Sequence, residues 1–222
     1  MSASARATRD WIKTTLHDCR EDYQRLPTTC HRRNCTALAG WASLPATSAA
    51  RPRAIAIHHL NDSRSQRVLW LLEELGLAYE VKRYQRDPQT LLAPAELKAV
   101  HPLGKSPVLE DGSVRVAETG AIVEYLLETH GGSALRPARG TEEGRRFTYW
   151  LHYAEGSAMT PLLLKLIFSQ IPQRVPFLIR PVAKAISRAM NARMIDPQLA
   201  AHTAVWEAEL ARSDWFAGEA FS

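Results

Sequence analysis

The chain has no cysteine beyond Cys35; Cys19, Cys30 and Cys35 all fall within the first 53 residues. A disulfide-stapled fold is thereby excluded for the remainder, as is disulfide exchange through a thiol of its own there. His17 and His31 lie near the three cysteines, but no recognised zinc-ligand spacing connects them, and no metal is expected. Long apolar runs are also missing. None reaches the roughly 18 residues of a membrane-spanning helix; the nearest, around Pro161–Leu164, is soon interrupted by Lys165. Finally, the bulk of the chain has no excess of either charge. The net charge of +5 sits wholly in residues 1–53, where nine basic side chains face four acidic ones, and the rest balances at nineteen of each. A nucleic-acid partner or an anionic membrane surface is therefore not expected for the folded part.

What remains is an ordinary globular composition over 222 residues, enough for one large or two small domains with a sizeable core. Residues 1–53 show no clear hydrophobic periodicity, and Ser43–Ala50 reads as a flexible linker. The segment is rich in Arg and Ser like a targeting peptide, but Asp10, Asp18, Glu21 and Asp22 are out of place in one. We expect a disordered or targeting-like extension.

From Ala54 the pattern sharpens. Ala54–His59 is a short apolar strand. Val68, Leu71, Leu72 and Leu75 follow at helical spacing, and Gly76 ends that helix. Tyr79–Tyr84 alternates as a strand does. A short helix fits Ala95–Val100, with Pro94 at its start. Pro107–Glu110 and Ser113–Val116 flank Asp111-Gly112, a hairpin signal. Glu118–His130 reads as a helix closed by Gly131-Gly132. The order is βαβαββα, a thioredoxin-like layout. A polar linker, Gly131–Gly140, precedes an all-helical region in which Phe147, Trp150, Leu151, Ala154 and Ala158 form one stripe. Pro172, Pro176 and Pro181 are expected to break the chain between helices, and Leu199, Thr203, Trp206 and Leu210 suggest a further amphipathic helix.

Three segments stand out at the junctions of these elements. Ile57-His58-His59-Leu60-Asn61-Asp62-Ser63-Arg64-Ser65-Gln66-Arg67-Val68 runs from strand through loop to helix. His101-Pro102-Leu103-Gly104-Lys105-Ser106-Pro107-Val108-Leu109 places a proline where a strand begins, one of the few places a strand tolerates it. Val116-Ala117-Glu118-Thr119-Gly120-Ala121-Ile122 ends a strand and opens a helix. Each has a purely structural reading. Ser63 to Gln66 fits a capping box, Lys105 a solvated loop lysine, and Thr119 an ordinary helix cap beside an acid that suits the helix dipole.

In this order and spacing, the three segments resemble the glutathione-binding half of the serine-type fungal and bacterial glutathione S-transferases. The runs Arg67–Leu77 and Ala95–Leu109 carry the likeness further. The resemblance implies an α/β thioredoxin-like domain over 54–131, a partial all-helical domain over 141–222, glutathione as co-substrate, and a cytoplasmic homodimer acting in detoxification and stress response. It implies that Ser63 donates to the glutathione sulfur and stabilises its thiolate, worth about 1.5–3 kcal/mol for a charge-assisted bond, with the following helix adding its field. Ser65 is the competing donor. Lys105 would meet the glycine carboxylate. Ser106, turned outward by a cis bond to Pro107, would pair with the cysteinyl backbone. Thr119 would take the γ-glutamyl carboxylate at a helix N-terminus, and Glu118 the γ-glutamyl ammonium.

The reaction implied is attack of the thiolate on a small hydrophobic electrophile, with peroxide reduction as a further activity on a serine-type site. Tyr149 or Tyr153 could touch that electrophile, though packing is the commoner role for an aromatic there. The absence of a later cysteine argues against a glutaredoxin-like or omega-like enzyme. Trp215–Ser222 resembles the family's lead-in to a buried helix with Ser222 as its cap, so a C-terminally truncated helical domain is expected. A non-catalytic interaction module of the same fold, or an inactive fragment, is the alternative.

Overall fold

The computed structural model describes residues 55–222, and the expectations for residues 1–53 lie outside the described residues. Contacts divide the described chain after Gly132 into two units.

The first unit runs β1 (Ile55–Leu60), α1 (Ser65–Glu74), β2 (Tyr79–Tyr84), α2 (Glu96–Val100), β3 (Val108–Asp111), β4 (Val114–Ala117) and α3 (Thr119–Thr129). This is the thioredoxin-like βαβαββα order. The four strands line up as β2-β1-β3-β4. β1 pairs in parallel with β2 and antiparallel with β3, and β3 pairs antiparallel with β4.

β1 is an inner strand, between β2 and β3, and is buried along almost its whole length. That explains why its sequence is an apolar run rather than a strict alternation. Ile55 and Ile57 pack with Leu109, with Val68, Leu69 and Leu72 of α1, and with Ile122 and Leu126 of α3, forming the core. The periodic leucines of α1 thus serve a single apolar face. That helix ends as the sequence indicates: Gly76 takes φ 62°, its N–H donates to Glu73 O at 3.0 Å, and Leu77 N–H donates to Leu72 O at 3.1 Å. These two bonds cap the last carbonyls in the paired pattern of a glycine-terminated helix. The hairpin falls one residue later than expected. Asp111 pairs with Val114, so the two-residue loop is Gly112-Ser113, with Gly112 at φ 61°.

The second unit contains α4 (Glu142–Tyr153), α5 (Met159–Arg174), α6 (Arg180–Met190) and α7 (Asp196–Leu210). Widened turns at Ala154–Ala158 and Asn191–Ile195 carry α4 into α5 and α6 into α7. Thr141 caps α4, accepting from Gly144 N at 3.0 Å. Arg146 on α4 reaches Glu209 on α7 at 2.8 Å and also donates to the Phe216 carbonyl, so one guanidinium fastens two distant segments.

Two sequence expectations fail in this unit. Pro172 does not break the chain; it sits inside α5, within the last turn, where the helix has little left to lose. The Gln173 side chain donates to Ser169 O at 3.3 Å and supplements the bonding of that turn. Thr203 is exposed, and half-buried His202 takes its place in the inward stripe of α7, against Tyr153 and Trp206. No helix among the described residues is long and apolar enough to cross a membrane.

Candidate functional site

The three sequence segments meet at one end of the first unit's sheet. β1 ends at Leu60 and the chain turns through Asn61 and Asp62, the latter at φ 51°. Aspartate tolerates that left-handed geometry better than most residues. Arg86, beyond β2, holds the turn. Its backbone N–H donates to Asn61 Oδ1 at 2.7 Å, and its guanidinium to Asn61 O at 3.1 Å and Leu91 O at 3.0 Å. Ser63 follows directly from this anchored turn.

The loop after α2 is fixed to the same strand end by Ser106. Its hydroxyl donates to His58 O at 2.7 Å and accepts from Leu60 N at 3.1 Å. The Ser106–Pro107 bond is cis and Pro107 is buried. On the other side, β4 leads into α3 through Glu118, whose φ of 72° lies in the left-handed region. Such a conformation costs a non-glycine residue on the order of 1–3 kcal/mol and persists only where the surroundings impose it. Thr119, 6% exposed, is the first residue of α3.

A shallow pocket results, lined by Arg64, His101, Leu103, Lys105, Ser106, Pro107, Ala117, Glu118 and Thr119. Five of the six sequence-predicted site residues line it: Lys105, Ser106, Pro107, Glu118 and Thr119. Chemically it offers two fixed cations, one carboxylate, and the free backbone N–H groups at the start of an eleven-residue helix. That set suits a small zwitterion with more than one carboxylate.

Ser63 does not line the pocket; it stands behind it, its Oγ 3.4 Å from Ser106 Oγ. The capping box does not form. α1 starts at Ser65, the cap position falls on Arg64, and no side chain caps the helix. Thr119 is likewise not a cap, because that position belongs to Glu118. Ser65, the competing donor, is fully buried and bonds sideways, to Ser63 Oγ at 2.7 Å and His59 Nδ1 at 2.8 Å.

Sequence reading gave no role to His59, His101 or Arg86. The two histidines sit inside the quoted segments but have no spacing rule to mark them, and Arg86 has no local signal at all. Burial, aided by Arg83, lowers the pKa of His59 against the opposing pull of Asp62. Burial is also the largest influence on His58, lowering its pKa against the pull of Glu110. His58 lies on the neighbouring register position, with Nδ1 2.9 Å from the Tyr84 hydroxyl and Nε2 3.2 Å from Glu110.

Comparison with known proteins places the chain in a family. The family model for the glutathione S-transferase N-terminal domain matches residues 55–128. Glutathione S-transferase 1 of Saccharomyces cerevisiae is 37% identical over 155 residues, covering 65% of this chain and 66% of the relative. Glutathione S-transferase 3 of Schizosaccharomyces pombe is 30% identical over 168 residues, covering 76% of this chain and 69% of the relative. This chain thus spans about two thirds of the length of these relatives. The crystal structure of a glutathione S-transferase from Actinobacillus pleuropneumoniae superimposes with a TM-score of 0.53 at 32% identity, over 76% of this chain and 71% of that one. By sequence and by fold, the chain belongs to the glutathione S-transferase family, a family of transferases.

Proposed function

We propose that this protein joins the thiol of glutathione to small hydrophobic electrophiles, with the pocket beside Pro107 as the glutathione site. In this reading Lys105 meets the glycine carboxylate, Ser106 the cysteinyl backbone, and Glu118 and Thr119 the γ-glutamyl ammonium and carboxylate. Ser63 donates to the sulfur. The thiolate forms a bond to the electrophilic carbon and the leaving group departs with its electron pair; in an addition, the carbon framework takes a proton instead. The observation that carries the reading is the convergence of Lys105, Ser106, Glu118 and Thr119 on one pocket, with the Ser63 hydroxyl next to that of Ser106. Glutathione-dependent peroxide reduction at the same site, a homodimeric assembly and a cytoplasmic setting complete the proposal.

Thermal unfolding with and without millimolar glutathione tests binding, because a ligand specific to the native state raises the transition. An unmoved transition counts against the pocket. Conjugation assays then test Ser63: Ser63→Ala should keep glutathione affinity within about severalfold while lowering turnover at least ~10-fold. A ligand shift without any turnover would favour the interaction module.

A further inference from the structure

From Ser106 at the pocket back to His59, three hydroxyls and one imidazole form a line of close contacts. His59 Nδ1 lies 2.8 Å from Ser65 Oγ, Ser65 Oγ lies 2.7 Å from Ser63 Oγ, and Ser63 Oγ lies 3.4 Å from Ser106 Oγ. Ser65 is 0% exposed, so water does not compete for its hydroxyl.

A serine hydroxyl has one proton to give. That fact fixes the possible directions of the line. If His59 Nδ1 accepts, the Ser65 proton is spent on it, and the short contact to Ser63 can only be Ser63 donating to Ser65. Ser63 then has no proton left for a ligand. If Nδ1 carries a proton, the order can reverse: His59 donates to Ser65, the Ser65 proton is released for Ser63, its neighbour at 2.7 Å, and the Ser63 proton is then free to point away. Ser106 does not alter this outcome. Its own proton is committed to the His58 carbonyl at 2.7 Å, so it can only accept from Ser63, across a separation at the outer limit of a hydrogen bond.

We propose that His59 is a positioning residue whose Nδ1–H turns the Ser65–Ser63 hydroxyl line outward, so that the Ser63 proton meets the glutathione sulfur. The inference rests on the reading of Ser63 given above. The charged groups facing the imidazole are Arg83, its register partner on β2, and Asp62 in the turn after β1. Burial and Arg83 hold the ring neutral at neutral pH, and its single proton then chooses between Nδ1 and Nε2. A thiolate at the far end favours Nδ1, because only that arrangement makes the Ser63–sulfur bond charge-assisted.

The test is the ionisation of enzyme-bound glutathione, followed by the ultraviolet absorbance of the thiolate against pH. The proteins compared are wild type, Ser63→Ala, His59→Leu, His59→Asn and the Ser63→Ala/His59→Leu double variant. Thermal unfolding of each checks the fold. The expected result is a thiol pKa raised by about one unit in both Ser63→Ala and His59→Leu, from loss of one charge-assisted bond. Asparagine can present an N–H near the place of Nδ1, so His59→Asn should restore the wild-type value. The double variant should shift no further than Ser63→Ala, since both changes remove the same bond; a merely structural effect would add. If Ser63→Ala raises the thiol pKa but His59→Leu does not, the role of His59 is overturned and that of Ser63 stands. If Ser63→Ala leaves it unchanged, both fall. Should His59→Leu fail to fold, a His59→Asn protein with a pKa as high as Ser63→Ala overturns the proposal.

Discussion

Lys82 on β2 reaches across β1 to Glu110 on β3, its ammonium 2.7 Å from Oε2, and the same carboxylate oxygen lies 3.2 Å from the buried His58 ring. Arg115 takes the other oxygen at 2.6 Å. One carboxylate on β3 therefore reaches side chains of the other three strands, on a single face of the sheet.

This cluster makes a pH prediction with a definite sign. The Lys82 hydrogen bond, helped by His58 and Arg115 and opposed by burial, holds Glu110 down from 4.5 to about 2. A depressed carboxylate contributes stability that is fully present above about pH 4.5 and is lost as pH falls through about 2. Glu110→Gln should lose less stability than the wild type between pH 5 and 3, by urea denaturation. Equal losses would show that Glu110 does not govern that window. His58 acts higher: burial lowers its pKa, so its contribution is present above 6.5 and declines as pH falls below that value.

The second prediction concerns Asp111, buried at the end of β3. Its Oδ2 accepts from the Tyr125 hydroxyl at 2.8 Å and meets His130 Nε2 at 2.8 Å, tying the hairpin to the C-terminal half of the last helix of its unit. Asp111→Ala removes both bonds and should cost about 2–4 kcal/mol. Tyr125→Phe removes one bond and should cost about 1 kcal/mol. Chemical denaturation of the two variants decides; an alanine variant no worse than the phenylalanine one would demote the carboxylate to a bystander.

The third prediction separates the two ends of the proposed ligand. Lys105→Ala should weaken glutathione binding by roughly 10-fold and reduce its dependence on salt, because an exposed charge acts through a screened field. Thr119→Val should weaken binding severalfold, about one neutral hydrogen bond, with the salt dependence kept. Titration calorimetry at two ionic strengths reads both. Identical salt slopes in the two variants would contradict the assignment.

Much of the first unit was legible in the sequence because its elements obey short-range rules. Tyr79–Tyr84 occupies the strand its alternation indicates, and Gly76 closes α1 where a left-handed residue is required. Periodicity also identifies the inward face of α1, because the same leucines must meet one core. The site was legible only as segments. That Ser65 turns its hydroxyl to His59, and that Arg86 holds the turn before Ser63, are contacts decided by how the strands pair and not by any helix-start rule. Pro172 failed for a related reason: the rule against proline in helices weakens in a last turn, and the sequence alone does not show where that turn is.

Arg86 has one more consequence. It lies past the far end of β2, yet it holds the turn that presents Ser63, so this geometry comes into being only when β2 docks beside β1. A peptide containing Ile57–Val68 would carry every letter of the first segment and none of its chemistry. The proposed thiol-binding corner is in that sense assembled by tertiary closure, and a chain that has not paired these two strands lacks it.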